Sequence, residues 1–200
     1  KGETKSKLEL ASDAIHLERD LCQVCVGSQD HTAASYGGFN HIEFFADRTK
    51  VTPVEPNGLE KYLMLFFTGF QRTASTIEVE KVQTMSYQVV DYQTLYEMVD
   101  EAKKLLASGN MLAFGRLLNE GWQIKRSLNK RVSTGYIDYL YGKALKAEAI
   151  GGKLLGAGGG GFMLLVVEPD KQESVKQVLA ELIHVPVKFE SEGTKVIYAD

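Results

Sequence analysis

Five glycines in six positions, Gly156-Ala157-Gly158-Gly159-Gly160-Gly161, constrain the fold of this chain more than any other stretch. An ordered glycine surrenders roughly 0.5–1 kcal/mol more conformational entropy than alanine, so the run needs a compensating reason. Two reasons are common: left-handed backbone conformations, or a surface where another group must approach the main chain closely. A flexible linker is the bland alternative. It fits poorly, because Lys153-Leu154-Leu155 and Phe162–Val167 flank the run in place of serines and prolines. Gly156, Gly158 and Gly161 also match G-x-G-x-x-G, but a dinucleotide site needs strand, glycines and helix in that order. Here a helical pattern over Tyr136–Ala149 precedes the glycines and a strand pattern follows them, so that reading is excluded. No G-x-x-x-x-G-K-[ST] is present either. The residues leave a main-chain loop that leans on a polyphosphate or on another phosphate loop.

Composition narrows the setting. With 44% hydrophobic and 24% charged residues in 200, the chain is an ordinary globular sequence of one domain or two small ones. The 23 basic and 26 acidic residues give no broad footprint for nucleic acid. The longest apolar runs, Tyr62–Phe67 and Phe162–Val167, fall far short of the ~20 residues that span a bilayer, so no membrane partner is expected. Cys22 and Cys25 form a single C-x-x-C without the second ligand pair of a structural zinc. They read as two half-buried thiols in a reducing cytosol, and the four histidines have no metal-ligand spacing. No apolar segment of secretory type follows Lys1–Lys7, which predicts a cytoplasmic protein. The start, without Met and inside a helical pattern, reads as the interior of a longer chain.

Periodicity predicts a mixed α+β fold. A helix is expected over Lys5–Leu21, then a strand over Phe39–Phe45 paired with Lys50–Glu55 around Asp47-Arg48. Pro53, Pro56 and Gly58 mark a domain boundary within 53–59. Tyr62–Phe67 reads as a buried strand. Three helices follow: one with Leu95, Met98, Val99 and Ala102 on a single face and Gly109 just past its end, one over Met111–Leu128, and one over Tyr136–Ala149. After the strand Phe162–Val167, Asp170 and Glu173 suggest a capping box for a helix carrying Val175, Val178, Leu179, Leu182 and Ile183. Val185–Phe189 and Lys195–Tyr198 read as closing strands.

Gly151 through Phe162, reading GGKLLGAGGGGF, resembles the third signature motif of the GHMP kinases. Gly27-Ser28-Gln29-Asp30 followed by Gly37-Gly38-Phe39-Asn40 resembles the segment with that superfamily's catalytic aspartate. Thr68-Gly69 with Arg72, Ala74 and Ser75 is similar to the TG-x-x-R-x-A-S stretch of its anomeric sugar kinases. The three stretches stand in the family's order. The resemblance implies that residues 1–55 end an N-terminal α/β kinase domain and that 56–200 form a ferredoxin-like C-terminal domain. It places the family's first signature and its phosphate-binding second motif before Lys1, so residues 1–200 alone are expected to hold ATP weakly.

The same resemblance implies an ATP- and Mg²⁺-dependent kinase acting on the anomeric hydroxyl of a heptose 7-phosphate, for nucleotide-activated heptose synthesis. Fucose or galactose as acceptor, or a non-catalytic anion-binding α+β domain, are the alternatives, and a homodimer is compatible with it. By position, Asp30 becomes the catalytic carboxylate that orients or deprotonates the acceptor hydroxyl. Glu18 becomes the Mg²⁺ ligand. Gly156, Gly158, Gly159, Gly160 and Gly161 become the nucleotide loop, and Asp30, Thr68, Gly69 and Arg72 the substrate contacts. His31 adjoins Asp30 without being assigned as a base. The basic residues Lys125, Arg126, Lys130 and Arg131 around Trp122 read as a solvated helix end, with a distal-phosphate site as the sharper alternative.

Overall fold

A computed structural model describes residues 5–69 and 88–198. The chain divides into two compact units, Lys1–Glu55 with Lys188–Asp200, and Pro56–Val187. The closing residues group with the first unit and not with the second.

The first unit opens with helix α1, Lys7–His16. Ser6 and Glu9 start it with a reciprocal cap: the Ser6 N–H donates to Glu9 Oε2 at 2.7 Å and the Glu9 N–H to Ser6 Oγ at 3.3 Å. The expected single helix over 5–21 instead relaxes after His16 into one wider turn, Leu17–Leu21. Helix α2, Gln29–Tyr36, crosses α1. Ala11, Thr32 and Ser35 are buried, and small side chains suit a close helix crossing. Strands β1, Asn40–Phe44, and β2, Thr49–Pro53, form a hairpin with Ile42 opposite Val51.

Residues 190–194 tie into the same unit. The Gly38 N–H donates to the Glu190 carbonyl, the Thr194 N–H to that of Ala34, and Lys7 Nζ to those of Tyr36 and Glu192. Gly37 and Gly193, with φ of 63° and 72°, approach so closely that a Cβ on Gly37 would stand 2.1 Å from the Gly193 nitrogen. The strands expected over 185–189 and 195–198 do not form as drawn. The only strand there is β6, Ile183–Val185, and Val196, Ile197 and Tyr198 are exposed. Their alternation has no partner strand among the described residues.

The second unit holds a four-stranded antiparallel sheet: β3 (Leu63–Phe67), β4 (Gly151–Leu154), β5 (Phe162–Val166) and β6, in the spatial order β4-β5-β3-β6. Helices α3 (Val89–Ala107), α4 (Met111–Leu128) and α5 (Gly135–Lys146) lie between β3 and β4 in the chain. Helix α6 (Gln172–Val178) lies between β5 and β6. This β-α-β-β-α-β order with both central strands antiparallel is the ferredoxin-like arrangement. Met64 and Phe66 alternate into the core, where they join Trp122, Leu140, Met163, Leu165, Val175 and Leu179.

Sequence periodicity located α4 to the residue. It overran α5, which stops at Lys146 because Glu148 turns left-handed at φ 71°. The expected capping box at Asp170 and Glu173 is absent. Pro169–Lys171 forms a 3₁₀ turn, α6 starts without a side-chain cap, and Ile183 is an exposed strand residue.

Candidate active site

The glycine run is the connection between β4 and β5, and three distant segments hold it. Gly156, Gly158, Gly159 and Gly161 all have positive φ, from 71° to 115°, which only glycine adopts freely. Gly158 answers a second demand as well: a Cβ there would stand 2.7 Å from the Cα and the carbonyl oxygen of buried Val132. The Gly159 N–H donates to that same carbonyl at 2.9 Å. Thr68, at the end of β3, donates both its N–H and its hydroxyl to the Gly161 carbonyl, at 2.9 and 2.8 Å. Lys125, in the last turn of α4, donates Nζ to the Gly156 carbonyl at 2.7 Å.

Gly158, Gly159 and Gly160 are consequently buried, whereas Gly156 and Gly161 have open space where a side chain would be. The loop is a fixed curve with bare main chain at both shoulders. Such a curve suits the oxygens of a polyphosphate, which need close approach and N–H donors in place of side chains.

Behind the loop, β4 begins with two glycines for a packing reason. A Cβ on Gly151 would stand 2.1 Å from the Gly115 carbonyl of α4, so helix and strand meet main chain to main chain. Buried Tyr141 braces this contact from α5, its hydroxyl 2.7 Å from Asn119 Oδ1 and 3.2 Å from the Gly152 carbonyl. Burial pushes that hydroxyl up to about 12, opposed by the Gly152 hydrogen bond and the Arg126 charge. An unfolded tyrosine ionises near 10, so between about pH 10 and 12 the unfolded chain has lost a proton that the folded chain keeps, and stability falls as pH rises. Tyr141→Phe is expected to cost about 1–2 kcal/mol at neutral pH. It should also flatten this alkaline decline, as urea unfolding at about pH 9 and about pH 11 would measure.

In the first unit, Asp30 lies in the first turn of α2, exposed, where the helix dipole favours a carboxylate. Ser28 is the N-cap residue but makes no side-chain cap bond. Its hydroxyl instead accepts from Arg19 Nη2 at 3.2 Å, and the same nitrogen donates to the Val26 carbonyl at 3.1 Å. Arg19 thus straps the irregular segment between the wide turn and α2. Glu18, within that wide turn, accepts at Oε2 from His31 Nε2 at 2.5 Å, which ties its segment to the helix of Asp30. The roles of Arg19 and His31 had no signal in the sequence, because each depends on a contact between separate elements.

Glu18 is about half exposed, and one of its oxygens is engaged by His31. Among the described residues no group of three His, Cys, Asp or Glu side chains is placed to hold a metal ion. A single free carboxylate oxygen fits Mg²⁺ only where water and substrate phosphates supply its other ligands, which is the usual pattern for that ion.

Thr68 is buried and spends its hydroxyl on Gly161; Gly69 follows with φ 87°. Arg72, Ala74 and Ser75 lie outside the described residues. The basic end of α4 is less free than a solvated cluster: Lys125 holds the glycine loop, and Arg126 pairs with Asp138 at 2.9 Å. Cys22 and Cys25, expected half-buried, are exposed free thiols. Among the described residues, no helix is long and apolar enough to cross a membrane.

Residues 102–184 match the family model described as GHMP kinases C terminal. Over 94% of its length the chain is 31% identical to a D-glycero-alpha-D-manno-heptose 7-phosphate kinase of Campylobacter jejuni, covering 58% of that protein. A galactokinase of Thermococcus kodakarensis is 27% identical over 88% of the chain, again with 58% of the relative covered. The chain therefore spans little more than half the length of these relatives. Among solved structures, a D-glycero-D-manno-heptose 1-phosphate kinase from Bacteroides thetaiotaomicron superposes with a TM-score of 0.68 at 26% identity. That superposition covers 98% of this chain and 57% of the other. A Lactococcus lactis galactokinase shares the fold at a TM-score of 0.73 and 22% identity, over 97% and 62%.

Proposed function

Residues 102–184 are a GHMP kinase C-terminal domain, and from that premise we propose that the protein carrying them transfers the γ-phosphoryl group of ATP to the anomeric hydroxyl of a heptose 7-phosphate. The observation that carries the phosphoryl-transfer reading is the glycine loop: pinned by Thr68, Lys125 and Val132, yet bare at Gly156 and Gly161. The acceptor is argued from the similarity to a heptose 7-phosphate kinase along 94% of the chain.

In this reading the acceptor oxygen forms a bond to the γ-phosphorus as the bond to the ADP oxygen breaks, and the hydroxyl proton passes to Asp30. The exposed Asp30 carboxylate orients that hydroxyl, which suits a reaction governed mainly by positioning and charge. Mg²⁺ bound to the nucleotide would neutralise phosphate charge. Glu18 offers it one carboxylate oxygen while His31 holds the other. Thr68 fixes the exit of the glycine loop, and Gly69 and Arg72 follow it in the chain as the proposed substrate contacts. Lys125 holds the glycine loop and Arg126 pairs with Asp138, so the distal phosphate is assigned to Arg72. The enzyme works in the cytoplasm, where ATP is supplied.

A coupled-ADP assay of the protein at its natural length, run against free and phosphorylated sugars, tests the proposal. Heptose 7-phosphate is expected to exceed galactose and fucose by about a hundredfold or more in kcat/KM, a difference worth about 3 kcal/mol. Equal or faster turnover of an unphosphorylated hexose would transfer the assignment to a galactose- or fucose-type kinase. Absence of ADP production with every sugar would leave an anion-binding domain.

A further inference from the structure

Helices α3 and α4 of the second unit leave a cleft of about 310 Å³ between them. Met98 from α3 and Phe114 from α4 form its walls. Gly121 keeps it open, because a Cβ there would already touch the Met98 Cε at 3.4 Å. Neither wall residue reaches the burial of the core beside it. Trp122, Lys125 and Lys153 also line it.

Lys153 is the unexpected group. It projects from the β4 strand into this apolar cleft with no hydrogen bond or ion pair among the described residues. Burial alone holds its ammonium group below the ordinary lysine range. Beside it the indole Nε1 of Trp122 is buried without a hydrogen-bond partner. A cation enclosed by apolar walls costs several kcal/mol unless an anion meets it, and an aliphatic side chain would fill the same place at no such cost. Lys125 also lines the cleft, but its Nζ is turned to the Gly156 carbonyl at 2.7 Å.

The occupant that answers both features has an apolar body and a single anionic head. The volume lies at the lower end of the range for small-molecule pockets, far below what a helical segment requires. A dianionic phosphate would bring more charge than one partly buried ammonium can neutralise in a low-dielectric wall, so a carboxylate matches better. We propose that the α3–α4 cleft binds a small amphipathic carboxylate, its hydrocarbon portion between Met98 and Phe114 and its carboxylate on Lys153. This site is independent of the kinase reading, since it rests on the second unit alone.

Trp122 is the sole tryptophan, so its emission reports on the cleft directly. Sodium decanoate below its micellar concentration is the probe, with decanol as the uncharged comparison. A saturable emission change with decanoate is expected, about tenfold weaker for decanol and for Lys153→Met, and lost in Gly121→Phe. If Gly121→Phe unfolds by circular dichroism, Ala102→Phe blocks the cleft from the opposite helix. Absence of a saturable response overturns the proposal. So does equal affinity for decanol and decanoate, or undiminished decanoate binding by a folded Lys153→Met.

Discussion

Replacing Gly158 by alanine is expected to lower the melting temperature of this protein by roughly 5–15 °C. Two costs add at that position. A left-handed φ of 115° costs an L-residue with a Cβ about 1–2 kcal/mol. The methyl group itself would meet the Val132 backbone at 2.7 Å, and overpacking against main chain costs about 1–3 kcal/mol because a backbone has no rotamer to change. A total of about 2–5 kcal/mol corresponds to that shift for a chain of this size. Gly156→Ala is the internal comparison, because its φ is 71° but nothing lies within 4 Å of the added carbon. It should cost only about 1–2 kcal/mol. Scanning calorimetry of both variants decides the matter: equal melting would mean that Val132 does not clamp the loop.

The second large effect concerns chemistry. If the proposed phosphoryl transfer holds, Asp30→Asn is expected to reduce kcat by roughly a hundredfold to ten-thousandfold, the usual range for removing a positioned acid or base. KM for ATP should stay within about threefold, because the lost interaction belongs to the transition state. The fold should barely register the change. Asp30 is exposed, and its favourable interaction with the α2 dipole is worth about 0.3–1 kcal/mol. Steady-state kinetics alongside a thermal melt separates the two effects. Undiminished turnover would remove Asp30 from the mechanism, and a collapsed melting curve would make its role structural.

Long apolar patterns were the legible part of this sequence. Helix α4 and strands β3 and β5 follow directly from their periodicity and boundaries, because packing and local preference agree there. Strand β4 was hidden for the opposite reason. Gly151 and Gly152 disfavour a strand locally, and only the close passage of the Gly115 carbonyl explains them. The glycine run announced that something approaches its main chain. It did not announce that at Gly158 the visitor is this chain's own Val132. The basic end of α4 misled for a related reason: charge clustering predicts solvent, but Lys125 finds a carbonyl thirty-one residues away in sequence. At the carboxylate segment, Asp30 was singled out only through the resemblance of its glycine-flanked motif to a known family. The Glu18–His31 hydrogen bond was not, because it depends on how a widened helical turn aims one side chain.

That widened turn and the Arg19 strap have a consequence for how quickly such a segment can work. Residues 22–28 form no helix or strand, yet Arg19 holds their far end at Val26 and Ser28, and the Val24 N–H returns to the Glu18 carbonyl. The freedom of that stretch is surrendered during folding and need not be surrendered again at each encounter with a reactant. An irregular connection made stiff in this way is preorganised: it behaves less like a tether than like a splint.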